Sequence, residues 1–519
     1  MIELDGNNLT LEQAERIIIA QQPVTITTTA RRCVDETSAI IEKIVAARRP
    51  AYGINTGFGK LSDRAIPIDN LRALQRNIIL SHSTGVGEPL SIEAVRAMIL
   101  FRINSLLKGL SGIRSTTIDY LVQLLNHKIH PLIPSKGSVG SSGDLIPLAH
   151  MAAILLGEGE AEHNGRVISA TEALKLIDRP PLDLAPKEGL ALLNGTQYMS
   201  ALGFLALLRG KRLLKNAVAA GSLVLEGLQG FTAPFDERLH AVRPHPGQVE
   251  IARLIRRMIA GSRLVQKTDE SFEDRLNDKH YTEGETDCCR PQEVQDSYSL
   301  RCLPQVLGPA WEALAFLAEK ITVEINSATD NPLIWSDGTV ISGGNFHGQI
   351  LALTLDMTAM AIAEIGSIAE RQIDRLLTSS DRGLPLFLVE NSGLNSGLMI
   401  TQYTAAALVS ENKILCHPAG VDSIPTSGGK EDHNSMGSIA ADKNLRVIEN
   451  VEQVVAITLL CAAQALDFRL SDHLAGSTRQ VYERIRRLVP HLAGDRFLAQ
   501  DIDRLTRAVK DGELIDGIL

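Results

Sequence analysis

Val454-Val455-Ala456-Ile457-Thr458-Leu459-Leu460 lies inside a longer run, Met436 to Leu470, in which apolar residues recur every three or four positions with few breakers. As one continuous helix this run would extend roughly 50 Å. Its centre is apolar on more than one face, so it must be buried within a bundle or against another subunit. Thr196 to Gly230 and Leu353 to Ser379 repeat the pattern. Composition agrees: 44% of the 519 residues are hydrophobic but only 4% aromatic, which makes a core of Leu, Ile, Val and Ala suited to packed helices. The expected fold is mainly α, a long-helix bundle with a smaller mixed N-terminal region. A chain this long exceeds one small core. We divide it into an N-terminal helix-rich domain (1–115), the central bundle (116–475) and a C-terminal helical segment (476–519).

In the N-terminal part, Thr25 to Thr29 is β-prone, whereas Thr37 to Arg48 and Ser91 to Lys108 carry helical spacing. Between the helices lies a glycine-rich loop, Tyr52-Gly53-Ile54-Asn55-Thr56-Gly57-Phe58-Gly59-Lys60. It is not a phosphate-binding loop, because Phe58 stands where that motif needs its second glycine and Leu61 follows the lysine. Asn164-Gly165 and Asp337-Gly338 mark two small hairpins. Lys267 to Glu293 holds nine acidic residues against four Lys or Arg and reads as a solvated surface loop, or else as a cover for the segment that follows.

The remaining bounds are exclusions. A formal charge of −9 argues against nucleic acid or an anionic membrane as partner. The N-terminus is acidic and no apolar signal core follows it. The longest apolar run, Val454 to Leu466, is too short to span a bilayer. Six cysteines in so long a chain do not make a disulfide framework, which points to a reducing cytoplasm. No Cys or His spacing suits a structural metal.

Chemistry concentrates in Gly137-Ser138-Val139-Gly140-Ser141-Ser142-Gly143-Asp144-Leu145-Ile146-Pro147-Leu148-Ala149-His150, which runs into the apolar Met151 to Leu156. Such a stretch permits a hard turn just before a helix. By itself Ser141-Ser142-Gly143 would be a plain surface turn. A forced turn, however, can bring the Gly143 amide nitrogen onto the Ser141 carbonyl carbon. Cyclisation with loss of water, then dehydration of Ser142, would yield a 4-methylidene-imidazol-5-one (MIO), an electrophile made from the chain's own atoms.

Five further motifs accompany the triad: Tyr52 to Gly59; Ser81-His82-Ser83-Thr84-Gly85; Leu192-Leu193-Asn194-Gly195-Thr196-Gln197; Gln295-Asp296-Ser297-Tyr298-Ser299-Leu300-Arg301; and Gly343-Gly344-Asn345-Phe346-His347-Gly348. In kind and order they resemble the signature segments of the aromatic amino acid ammonia-lyases and aminomutases, with looser resemblance along the whole chain. Ser423 to Ser427 with Glu431-Asp432-His433, and Met399 in Asn395 to Met399, look most like the histidine branch.

The resemblance implies a helical lyase with an MIO formed from Ser141-Ser142-Gly143, no external cofactor, and a cytoplasmic homotetramer whose sites gather residues from three chains. The expected reaction is L-histidine to urocanate and ammonia. The alternatives are a tyrosine-acting lyase or 2,3-aminomutase, a lyase for a histidine derivative, and, from a different class, a non-catalytic helical scaffold.

By the same resemblance Tyr52 takes the β-proton, Tyr298 assists around the amine, and Asn194 and Gln295 bind the carboxylate and the electrophile's carbonyl. Arg301 suits the substrate carboxylate through its planar fork. Phe346 packs beside the electrophile, and His82, Met399, Lys430 and Glu431 read the ring. As an ordinary tyrosine ionises near pH 10, Tyr52 is expected to be lowered by its surroundings. Ser141 replaces the alanine usual in the triad, and only its carbonyl enters the ring. Lys430 replaces a glutamine usual before Glu431, and it could pair with Glu431, contact an anionic group on a modified histidine, or face solvent. The length of the Lys267 to Glu293 insertion and the Val489 to Leu519 region look like the tyrosine-acting relatives.

Overall fold

The computed structural model of the chain describes residues 1–48, 50–266 and 295–519; the acidic stretch Lys267 to Glu293 lies outside them. Helices dominate, as the periodicity requires. The three long runs become helices Gln197–Gly227, Gln349–Thr378 and Gly437–Asp467. A fourth, Leu303–Glu324, carries Pro309 within it. Helix Gln349–Thr378 is long and apolar enough to cross a membrane by length and composition, yet more than half of its most apolar window is buried in the chain.

Cα packing sorts the chain into two compact units, cut differently from a division in chain order at 115 and 475. The first comprises Met1–Leu207, Phe316–Met357 and Pro418–Leu445; the second comprises Leu208–Ala315, Thr358–His417 and Arg446–Leu519. Composition read along a sequence cannot reveal that late segments return to complete an early unit.

In the first unit, Ile2–Leu4 pairs in parallel with Val24–Ile26. Thr28 and Thr29, expected to continue that strand, instead open helix Thr28–Ala46, because Thr27 caps it by accepting from the Ala30 N–H. Helix Ile92–Leu106 begins after Ser91, whose hydroxyl accepts from Ala94 N, and every residue from Ala94 to Leu106 is buried. Two arginines lie inside this apolar cylinder. Arg96 donates to the carbonyls of Ile17, Ile18 and Leu125, satisfying helix ends that have no internal partner. Both hairpins form at the expected turns, Glu160–His163 with Arg166–Ser169 and Leu333–Ile334 with Val340–Ile341. A cluster of Ile40, Ile41, Ile54 and Ile334 packs beneath the Tyr52 loop and anchors it.

The second unit holds helices Pro246–Met258, Met399–Leu415, Gly476–Leu488 and Ala499–Asp511. The last two lie within residues 476–519. Gln464, the polar residue within an apolar run, donates to the Leu388 and Leu492 carbonyls and is buried with partners.

Candidate active site

The site is built on the turn before helix Leu145–Ala153. Gly143 has φ +72°, and a Cβ there would stand 2.2 Å from the Gly195 carbonyl oxygen, so only glycine permits the contact. The Asp144 N–H donates to that carbonyl at 2.7 Å, locking the two segments side by side. The turn is also tied to the start of helix Gly437–Asp467. Met436 N donates to Val139 O at 3.0 Å, and the Ser435 and Ser438 hydroxyls donate to the Gly140 and Ser138 carbonyls. Beneath it, fully buried Asp144 accepts from the Ser138 hydroxyl and the Met199 N–H, and burial pushes its carboxyl up to about 7.

Two cavities, of about 880 and 280 Å³, meet at the triad. Ser142 lines the larger, Ser141 and Gly143 the smaller, and His82 and Glu431 line both. Tyr52, Asn194, Phe346 and Lys430 complete the larger one. Ser142 Oγ donates to Glu431 Oε1 at 3.0 Å, while Thr426 Oγ1 donates to Oε2 at 2.8 Å. Asn194 Nδ2 donates to the Ser142 carbonyl at 2.8 Å, and its Oδ1 is buried without a partner among the described residues. The Phe346 segment is held by Asn331, whose Oδ1 accepts from Gly343 N and the Ser342 hydroxyl.

The electrostatics of Tyr52 correct one expectation. Its phenol is raised, not lowered: burial is the main cause, Glu431 and Asp330 add to it, and only the Gly59 N–H, 3.5 Å from the hydroxyl, acts the other way. Burial likewise lowers His82, keeping a neutral imidazole in the wall, and its Nδ1 lies 3.1 Å from the Ser81 hydroxyl. Lys430 lines the cavity but makes no ion pair among the described residues, and Glu431 is engaged by the two hydroxyls instead.

Gln295, Tyr298, Arg301 and Met399 belong to the second unit. Buried Asp296 accepts from Phe231 N and Arg382 Nη2 and so seats the start of this motif. In the one-turn helix Tyr298–Arg301, the guanidinium carbon lies 4.5 Å from the centroid of the Tyr298 ring, which is 70% exposed. Arg301 Nε is buried without a hydrogen-bond partner, and among the described residues no carboxylate pairs with this arginine. Met399 is half-buried at the start of helix Met399–Leu415.

The model of the aromatic amino acid lyase family matches residues 9–487. The chain belongs to that family. It is therefore a carbon–nitrogen lyase. Histidine ammonia-lyase of Alkaliphilus metalliredigens is 46% identical over 520 residues, covering 100% of this chain and 98% of its own length. Among solved structures, tyrosine aminomutase from Streptomyces globisporus superposes with a TM-score of 0.94 at 37% identity, covering 99% of this chain and 97% of that one. Histidine ammonia-lyase from Trypanosoma cruzi gives 0.88 at 39%, covering 100% and 94%.

Several residues that build this lyase's site escape a motif reading. Thr426 holds one oxygen of Glu431, and Asp144 braces the turn from below. Lys187 and Asp330, both fully buried, pair at 2.6 Å. The Lys187 stem lies near Gly53, which keeps this pair close under the Tyr52 loop. Arg102 is fully buried and reaches the Asn194 segment. The signal for Arg102 was in the sequence: a cation inside a helix with no polar face needs a specific partner.

Proposed function

We propose that this lyase eliminates ammonia from L-histidine, giving urocanate, through an MIO formed from Ser141-Ser142-Gly143. The carrying observation is the Ser142–Glu431 contact at 3.0 Å. Dehydration of Ser142 would remove the hydroxyl that occupies Glu431 Oε1. A carboxylate oxygen would then face the cavity, suited to an imidazole N–H. A phenyl ring would leave it unpaired, at a cost of a few kcal/mol.

The residues present fit the group. Gly143 is held against Gly195 at backbone distance, Asn194 Nδ2 already lies on the Ser142 carbonyl, and Ser141 contributes only its carbonyl to a ring. When formed, MIO supplies an electrophilic methylene that binds the substrate amine and makes ammonia a competent leaving group. Around it, Glu431 and His82 orient the ring of the substrate, Phe346 and Lys430 bound the cavity, and Tyr52 takes the β-proton. A raised phenol is protonated at neutral pH, so this base reaches its active form as pH rises.

We further propose a cytoplasmic homotetramer in which Gln295, Tyr298, Arg301 and Met399 complete sites built from three chains. The Arg301 guanidinium, whose Nε has no hydrogen-bond partner among the described residues, suits a substrate carboxylate. Exposed Ile350, Leu353 and Met357 on one long helix support burial against another copy. Among the described residues, free thiols at Cys33, Cys302 and Cys461 suit a reducing compartment.

A tyrosine-acting lyase or aminomutase is the second reading, favoured by the neutral His82 in the wall and by the likeness to tyrosine aminomutase. Ultraviolet assays on histidine, tyrosine, phenylalanine and their β-isomers separate the readings, together with the intact mass. We expect a chain two waters lighter than encoded, with histidine the preferred substrate. Turnover of tyrosine with histidine ignored would favour the second reading, and an unmodified mass would exclude the MIO.

A further inference from the structure

Arg102 is fully buried, yet among the described residues no carboxylate lies within ion-pair distance of it. Nearby Asp330 is already paired with Lys187. An uncompensated buried cation is costly, and a chain gains nothing in stability by keeping one where an apolar residue would pack. Its contacts show where it acts. Nη1 donates to the Asn194 carbonyl and to Gln197 Oε1, both at 2.8 Å, and Nη2 donates to the Ala191 carbonyl. Gln197 is fixed in turn by donating from Nε2 to Thr329 Oγ1 at 2.9 Å. A Cβ on Gly195 would come within 2.4 Å of Arg102 Nη1, so the guanidinium lies directly behind the backbone that faces the triad.

The guanidinium fork thus spans the short segment 191–197. From the other side, that segment makes the two contacts that frame the end of the triad. Asn194 Nδ2 meets the Ser142 carbonyl, and the Gly195 carbonyl receives the Asp144 N–H. Dehydration of Ser142 would conjugate its carbonyl with its Cβ, so that an electrophile formed there would draw electron density onto the carbonyl oxygen, the atom that Asn194 Nδ2 meets. A donor aimed there, backed by a buried positive charge, favours this shift more than it favours the ground state.

We propose that Arg102 is a positioning residue for this reaction: by clamping residues 191–197 it aims Asn194 at the Ser142 carbonyl and supplies the positive field behind it. The inference rests on the MIO reading above. It assigns Arg102 no contact with substrate.

The test uses full-length wild type, Arg102→Lys and Gln197→Met, with histidine as substrate. For each we would measure the intact mass, the matured fraction from that mass, the thermal midpoint, and kcat and KM per matured site. Arg102→Lys keeps a charge but loses the fork. We expect a chain two waters lighter than encoded, with kcat per matured site lowered about 30-fold or more and KM changed by less than about 3-fold. Gln197→Met removes one partner of the guanidinium without touching its charge, and a loss of about 10-fold in kcat is expected. A merely structural role would lower the midpoint or the matured fraction and leave kcat per matured site within about 3-fold of wild type; that result overturns the inference. If wild type itself is not two waters lighter, the MIO reading fails and the inference falls with it, an outcome distinct from the failure of Arg102 alone.

Discussion

At the scale of single residues, the site joins groups whose ionisation is set by burial. Tyr52→Phe removes the proposed base, and turnover should fall by about 100-fold or more with little change in substrate binding. Because the Tyr52 phenol is raised, wild-type kcat should climb from neutral towards alkaline pH with no plateau below its ordinary value near 10. A flat profile, or a Tyr52→Phe enzyme with unchanged kcat, removes Tyr52 from the mechanism. Glu431→Gln keeps shape but loses the charge facing the ring, so histidine turnover should drop at least about 10-fold more than any turnover of tyrosine. Parallel assays of both substrates check this. Asp144 gives a stability test. Its carboxyl is raised in the folded chain, so folding favours the protonated form. Its contribution is fully present below about pH 4 and is lost as pH rises towards 7. Asp144→Asn lacks this loss, so the midpoint of the variant minus that of wild type should increase from pH 5 to pH 8 in thermal melts.

At the scale of elements, the long helices were legible because an apolar repeat of three to four residues over thirty positions has few other solutions. The hairpins were legible from Asn164-Gly165 and Asp337-Gly338, where left-handed backbone is needed. Thr28 and Thr29 misled, since β-branched residues favour strands until a cap such as Thr27 supplies a helix start. Local pattern could not place Glu431 on Ser142, 289 positions away, nor show that Arg102 backs Asn194. Those contacts are set by packing across distant segments. Close helix approaches are equally invisible to a motif search. Gly247 and Gly308 let helices Pro246–Met258 and Leu303–Glu324 touch at backbone distance, a Cβ on Gly247 falling 2.2 Å from the Gly308 carbonyl oxygen. Alanine is the better helix former by about 1 kcal/mol. Even so, Gly308→Ala should destabilise by on the order of 1–2 kcal/mol, because overpacking outweighs propensity. A raised unfolding midpoint in denaturant titration would contradict that close packing.

At the scale of the whole molecule, maturation and turnover make different demands. Ser141, Ser142, Gly143, Asn194, Gly195 and Asp144 all belong to one compact unit of one chain, so on the proposed MIO reading a single chain would hold what ring formation needs. Turnover, as proposed, also needs Arg301 and Tyr298 supplied across a tetramer. The two demands can be separated at the exposed apolar face of helix Gln349–Thr378, where Leu353 is 47% exposed in the lone chain. Leu353→Asp costs that chain little, because the side chain already meets solvent, but it places a charge in the proposed interface. The variant should remain two waters lighter than encoded, yet elute well below four times the 56.3 kDa chain mass in size-exclusion light scattering. Its kcat/KM should fall about 100-fold or more, since substrate positioning is lost with the neighbouring chains. Raising the protein concentration should restore part of both mass and activity by mass action. A variant that stays active as a monomer would show that one chain carries the whole site, and one that never matures would show that ring formation itself depends on assembly.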